Sequence, residues 1–272
     1  MSDLPDAQPW QIELTAAETG GLAALRLVQP LGSFGLTPAS RVALQAIGQH
    51  RERLVGIGLD WGTGGGALAI AAAQLAAVER VIGLDIVPEN VAAARQNAVL
   101  NNVADKTSFF LADSYRPTAV TDQNHLATLH GQLRFILANP PSSDGDDGFG
   151  FRRVVLAEGR PFLAPGGVVF LSISYQYGPQ RIAALAGEIP GYRYGGVLSS
   201  TGWVPFDLRR DDLRHCLALY AEEEARGGGP YAFAAPDRPD RTLDARAAWQ
   251  CFQQTGQSPL TRWQTHLFTF AD

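Results

Sequence analysis

Short apolar runs at residues 55–60, 80–85, 107–112, 133–138 and 168–174 alternate with longer stretches of helical period. That alternation constrains the fold most, because neighbouring parallel strands must be joined by crossovers and helix-length stretches supply them. Residues 66–78, rich in Ala, Leu and Ile, read as the first crossover helix. Pro88 suits the first turn of the second, in which Val87, Val91, Ala94 and Ala98 recur at helical spacing as a sheet-facing stripe ending near Asn101-Asn102. A helix over 150–164 leads to the turn Pro165-Gly166-Gly167 that enters the fifth strand. A helix over 178–187, a strand over 192–198 and a closing strand over 265–270 follow. Upstream, 31–35 reads as a loop, and Thr37 is a natural N-cap with Pro38 at the first position of a helix running to about His50. The result is an α/β chain with seven strands, whose core needs its last residues.

Between Ser199 and Trp263 the pattern changes. Leu213, Cys216, Leu217 and Tyr220 share one helical face, Gly227-Gly228-Gly229-Pro230 breaks the chain, and 243–254 reads as another helix stopped near Gly256. The expected organisation is an N-terminal segment and helix over the active site (1–52), a core (53–200), a helical insertion serving as candidate substrate region (201–262) and the closing strand (263–272). Apolar residues are 46% and charged residues 18% of the 272, which excludes a disordered chain, and no apolar run approaches the ~20 residues of a spanning helix. The stretch Met1-Ser2-Asp3-Leu4-Pro5-Asp6 lacks the features of a signal peptide, and two cysteines, Cys216 and Cys251, are too few for a disulfide framework. A cytoplasmic, soluble protein is expected. Its net charge of −5 makes duplex nucleic acid a poor partner.

The segment Leu59-Asp60-Trp61-Gly62-Thr63-Gly64-Gly65-Gly66 joins the first strand to the first helix, where a parallel sheet opens a ligand crevice. Gly62, Gly64 and Ala67 also fit the GxGxxA fingerprint of dinucleotide enzymes. Asp85, 21 residues after Gly64, ends the second strand where a carboxylate can accept from both hydroxyls of a ribose; as a helix cap it would do less. Asp60 would repel a pyrophosphate but welcome a sulfonium or ammonium, which separates such a cofactor from NAD. Asp113, after the third strand, can accept from an adenine amino group.

The fourth strand runs into Asn139-Pro140-Pro141-Ser142. Two prolines stiffen this corner, and the Asn139 side-chain oxygen and Pro140 carbonyl can together accept both hydrogens of an NH2 group, aiming its lone pair. With an activated methyl carbon over the glycine loop, alignment of that kind is the main task left to the protein.

Asp60-x-Gly62-x-Gly64-x-Gly66, Asp85, Asp113 and Asn139-Pro140-Pro141, in this order and spacing, resemble the class I S-adenosylmethionine-dependent methyltransferases. Within that superfamily the chain looks like the small-domain, amino-methylating group that includes release-factor glutamine and ribosomal RNA guanine N2 methyltransferases. The resemblance spans about residues 31–175. It implies a Rossmann-like, seven-stranded, mostly parallel sheet with helices on both faces, an antiparallel last strand and the insertion before it. It also implies S-adenosylmethionine as cofactor, with Asp60, Gly62, Gly64 and Gly66 on its methionine side, Asp85 at the ribose, Asp113 at the adenine, and Ile86 and Ser114 among the cofactor-binding residues. Asn139, Pro140 and Pro141 would hold the target nitrogen, with Asn139 also facing the cofactor. The implied acceptor is an amino or amide nitrogen of a protein or small molecule, with an rRNA base as the alternative; an NAD-dependent oxidoreductase and a non-catalytic binding module are the rivals.

One departure stands out: Ser142 occupies the place where that group carries Tyr or Phe. The acidic stretch 143–148 is not a calcium loop, since Val155 falls where a bidentate Glu is needed; it reads as a solvated loop or an acidic lid. Arg152 and Arg153 read as partners for that loop. The five histidines, His50, His125, His130, His215 and His266, show no metal-site spacing. Trp203, Pro205, Phe206, Trp249 and Trp263 gather in and beside the insertion as packing or a substrate wall.

Overall fold

In the computed structural model, residues 10–29, 36–143 and 146–271 are described. The expected loop at 31–35, the stretch Met1 to Asp6, and Asp144 and Gly145 of the acidic loop lie outside them. The chain opens with a hairpin of β1 (Trp10–Leu14) and β2 (Leu25–Gln29), followed by α1 (Pro38–Gln49). Thr37 caps α1 by accepting from the Ser40 amide at 3.1 Å, as its position before Pro38 predicts.

The core then alternates β3 (Gly56–Trp61), α2 (Ala67–Ala73), β4 (Val78–Asp85), α3 (Pro88–Leu100) and β5 (Thr107–Asp113). Next come β6 (Arg116–Pro117), α4 (Val120–Ala127), β7 (Leu133–Ala138), α5 (Gly150–Gly159) and β8 (Leu163–Ser172), then α6 (Pro179–Glu188) and β9 (Tyr192–Ser200). The insertion carries β10 (Val204–Pro205), α7 (Asp211–Ala225), β11 (Phe233–Ala234), β12 (Thr242–Leu243), α8 (Ala245–Thr255) and β13 (Leu260–Thr261), and β14 (Gln264–Phe270) closes the core.

The central sheet runs β6-β5-β4-β3-β7-β8-β14-β9. Strands β3, β4, β5, β7 and β8 pair in parallel, and β14 lies antiparallel between β8 and β9. All seven expected strands are present; the eighth, β6, is a two-residue antiparallel edge on β5 that is too short to show a period. Alternate strand residues feed two apolar layers, which is why helices cover both faces. Phe135 and Leu137 join Leu44, Ala69 and Ala94 of α1, α2 and α3 on one side. Ile136 and Ala138 join Leu126, Val155 and Ile182 of α4, α5 and α6 on the other, together with Phe206, Leu217 and Tyr220 of the insertion.

Four expectations need correction. Val91, Ala94 and Ala98 are buried, but Val87 is 38% exposed, because it is the residue before α3 and not yet on its sheet-facing stripe. The helix expected over 150–164 stops at Gly159 and continues as a single 3-10 turn, because Pro161 removes an amide donor. Pro165-Gly166-Gly167 does not precede the fifth strand but lies within it: pairing with β7 jumps from Leu163 to Val168, and Gly166 absorbs the irregularity at φ +77°. The insertion is not wholly helical, since its short strands form a sheet of order β10-β13-β11-β12 beside α7 and α8. Its two ends meet where the Thr201 amide donates to the Trp263 carbonyl at 3.0 Å and the Trp263 amide to the Thr201 hydroxyl at 3.1 Å.

Candidate active site

The carboxyl ends of β3, β4, β5 and β7 open into a cleft of about 850 Å³. Asp60, Gly62, Gly64, Asp85, Ile86, Asp113, Ser114, Asn139, Pro140 and Pro141 all line it, so the sequence-derived residues converge on one continuous space. Gly66 does not: at φ +85° it starts α2, and a Cβ there would lie 3.0 Å from that of Ala94, so it serves the packing of α2 on α3. Gly62 and Gly64 hold φ of +66° and +53°, and a Cβ on either would meet nothing within 4 Å, which leaves bare backbone facing the cleft.

Asp60 is 1% exposed. Its Oδ2 accepts from the Thr63 hydroxyl at 2.6 Å and the Ala69 amide at 3.1 Å, while Oδ1 is buried with no partner among the described residues. Burial pushes its carboxyl up to about 7, against the lowering effect of those two donors, and the charge of Asp85 adds to the rise. Asp85 accepts from the Gly64 amide at 2.7 Å on Oδ2, and from the Val87 amide at 2.9 Å and Asn90 Nδ2 at 3.1 Å on Oδ1. Three of its roughly four acceptor positions are thus taken by the chain, leaving room for one further hydroxyl and not two. Ile86 is 66% exposed beside it. Asp113 is exposed, whereas the Ser114 hydroxyl is held, accepting from Trp61 Nε1 at 3.0 Å and donating to Glu158 at 3.1 Å.

Asn139 ends β7 and donates through Nδ2 to the Ser40 hydroxyl of α1 at 3.1 Å. The N-terminal helix thereby orients the carboxamide, and no donor among the described residues reaches its oxygen. Behind the corner lies Arg152, 4% exposed. Its guanidinium donates to the carbonyls of Gly148 at 2.9 Å, Pro141 at 3.2 Å, Ser172 at 3.3 Å and Pro140 at 3.4 Å, and stands 4.9 Å from the Tyr177 ring. Arg152 thus meets the acidic loop through the Gly148 carbonyl and not through a described carboxylate, whereas Arg153 forks onto Asp147 at 2.6 and 2.7 Å. Burial opposes ionisation of Asp147, but Arg153, the Phe149 amide and Arg181 outweigh it and hold the carboxyl below its usual range. Asp146 is likewise occupied by Ser143 and the Gly148 amide, so one described carboxylate binds its own loop and the other the arginines of α5 and α6.

Ser142 accepts from Tyr177 at 2.9 Å and from Tyr220 at 3.3 Å, and the two phenols lie 2.9 Å apart. The aromatic rings at the corner thus come from the turn after β8 and from α7, not from the residue after the prolines. Phe206 and Trp263 also line the cleft, whereas Trp203 packs against Tyr175 and Trp249 against Phe252. His266 is buried, bonded to Tyr194 and the Ile173 carbonyl, and His50 meets the Leu198 carbonyl, which are structural roles. Among the described residues no group of three or more His, Cys, Asp or Glu is placed to hold a metal ion, and no helix is long and apolar enough to cross a membrane.

Asn97 was not singled out by sequence. It is fully buried and accepts from the Val28 amide at 2.7 Å while donating to the carbonyls of Val28 at 3.0 Å and Gly65 at 2.9 Å. One side chain thus ties the N-terminal hairpin to the glycine loop. The signal was an Asn on the buried face of α3, three residues after Ala94. Arg152 carried a similar signal, sharing a helical face with Val155, Leu156 and Gly159.

A model of the ribosomal protein L11 methyltransferase family matches residues 33–139. The ribosomal protein L11 methyltransferase of Geobacter metallireducens is 36% identical over 138 residues, which is 51% of this chain and 38% of that protein. Its counterpart in Photobacterium profundum is 50% identical over 77 residues, 28% of this chain and 26% of that protein. The chain therefore spans well under half the length of these relatives. Among solved structures, a T. thermophilus 16S rRNA N2 methyltransferase in complex with AdoMet and guanosine superposes with a TM-score of 0.52 at 22% identity, over 71% of this chain and 48% of that one. A methyltransferase from Pyrococcus furiosus gives 0.51 at 17% identity, over 90% and 88%. The fold is that of the class I S-adenosylmethionine-dependent methyltransferases.

Proposed function

We propose that this chain, built on that fold, is an enzyme that methylates an amino or amide nitrogen with S-adenosylmethionine as donor. The observation that carries the reading is the Asn139-Pro140-Pro141 corner, which opens onto the same cleft as the glycine loop. The residues fit the cofactor. Bare backbone at Gly62 and Gly64 admits close approach, the unpartnered Asp60 oxygen suits a cationic group, and Asp85 Oδ2 keeps a lone pair for a ribose hydroxyl. Ile86 offers an apolar surface to a flat base. When bound, the cofactor supplies an electron-poor methyl carbon.

The work of the chain's own residues is alignment. Ser40 fixes the Asn139 amide so that its oxygen faces the acceptor's N–H, and Arg152 anchors the carbonyls of both prolines from behind. The Pro140 carbonyl meets Arg152 at a long 3.4 Å, so it keeps acceptor capacity for the second N–H. The proton surplus on nitrogen leaves to water.

Calorimetry with S-adenosylmethionine, S-adenosylhomocysteine and NAD tests the cofactor assignment: the first two should bind and NAD should not. Preferential binding of NAD would return the oxidoreductase rival, which has no use for the Asn-Pro-Pro corner. Asn139→Ala should leave cofactor affinity within a few fold and nearly abolish methyl transfer; normal turnover with lost cofactor affinity would contradict the role given to Asn139.

A further inference from the structure

The match to the L11 methyltransferase family ends at Asn139, so every wall of the cleft beyond the corner is contributed by sequence outside it. From residues 201–263 they include the rings of Phe206, Tyr220 and Trp263 beside the polar Arg210, Asp212 and His215. Phe206 stacks on Trp263 at 6.1 Å and 24° and meets Phe233 edge-on at 5.3 Å, and Tyr220 stacks on Tyr231 at 4.2 Å and 18°. Each cleft ring is backed by another ring, so the wall is formed before anything binds.

Two buried polar residues, Gln176 and Ser172, line this space, and the hydroxyl of the second is unsatisfied among the described residues. Gln176 is 2% exposed and lines the cleft; its Oε1 accepts from Thr261 at 2.6 Å, which fixes the direction of its carboxamide. Ser172 is 3% exposed. A donor left unmade in a dry site costs ~1 to 3 kcal/mol unless a ligand supplies the acceptor. The cations at the cleft are already engaged: Arg116 by Glu158, Arg210 by Asp212, and Arg152 by four carbonyls.

We infer that residues 201–263 enclose the acceptor end of the cleft as a chamber for a small molecule, an aromatic amine or amide bearing a carbonyl or ring nitrogen that Gln176 reads. The whole cleft, about 850 Å³, lies within the ~300 to 1,000 Å³ usual for small-molecule sites, and the cofactor takes part of it. The chemistry of transfer rests on the methyltransferase reading; the chamber itself does not.

Two measurements on the full chain separate these claims. The first titrates para-aminobenzamide as probe by calorimetry. Saturable binding is expected, weakened about tenfold or more in Gln176→Leu and in Trp263→Ala, the loss of one good contact in a dry site. No saturable binding, or binding indifferent to both substitutions, overturns the chamber whatever the cofactor does. The second supplies methyl-labelled S-adenosylmethionine with the low-mass filtrate of a bacterial extract, its protein retentate, or its total RNA. Label is expected in a filtrate compound whose KM rises in both variants while cofactor affinity is kept. Label in protein or RNA overturns the small-molecule assignment and leaves the methyltransferase reading standing, whereas failure of the wild type to bind the labelled donor counts against that reading alone.

Discussion

Replacing Asp60 by Asn removes a charge from a place that water does not reach, and the effect must depend on pH. In the folded chain burial lifts the carboxyl from 3.8 to about 7, against the opposing hydrogen bonds of Thr63 and Ala69. The difference of about three units corresponds to ~4 kcal/mol. Between pH 3.8 and about 7 the folded state holds a proton that the unfolded state has released. Stability from this residue therefore falls as pH rises through that window, and above it the full cost is present. Asp60→Asn keeps both donors served through its carboxamide oxygen and carries no charge. An amide NH2 at the unpartnered position costs ~1 to 3 kcal/mol, an offset that does not vary with pH.

Urea denaturation from about pH 4 to about pH 9 should show the stability difference moving in favour of the variant by up to ~4 kcal/mol toward the alkaline end. Cofactor affinity should move the other way, rising with pH through about 7 in the wild type as Asp60 ionises and attracts a cation, and staying flat in the variant. Parallel stability curves for the two proteins across the whole range would refute the reasoning.

Asn97→Ala removes three hydrogen bonds to backbone and should cost ~1 to 3 kcal/mol in thermal denaturation while weakening cofactor binding through the loosened Gly65. Arg152→Met strips the donor from four carbonyls and should destabilise by ~2 to 5 kcal/mol, with Arg152→Lys recovering part of the loss; equal stability of all three proteins by urea denaturation would contradict the anchoring role. His266 is held at about 4 against a usual 6.5, chiefly by burial, with the Ile173 carbonyl opposing and Arg152 reinforcing the shift. The unfolded chain takes up a proton that the folded one refuses, so ~3 kcal/mol is lost as pH falls from 6.5 to about 4, a slope that His266→Gln should lack.

The five parallel strands are legible in the sequence because burial on both faces demands unbroken apolar runs, as in Phe135-Ile136-Leu137-Ala138. The positions that line the cleft are legible for a related reason: a strand-end acid or a diproline corner has a fixed place relative to such a run. The short strands of the insertion are not, since two residues cannot show a period. Nor are the contacts of Arg152 or Asn97, whose partners are backbone atoms that no residue pattern records. Tyr177 and Tyr220 are legible only as helical or turn residues; that their hydroxyls meet Ser142 depends on how the insertion docks, which is a tertiary fact.

The clasp between Thr201 and Trp263 has an evolutionary consequence. More than sixty residues leave the sheet after β9 and return to it at β14, and the clasp holds the two ends of that excursion together. Because Phe206, Leu217 and Tyr220 also pack on the core, the excursion is free to vary in its outward parts, which gives lineages with this architecture a route to new acceptors that keeps the sheet's own contacts intact.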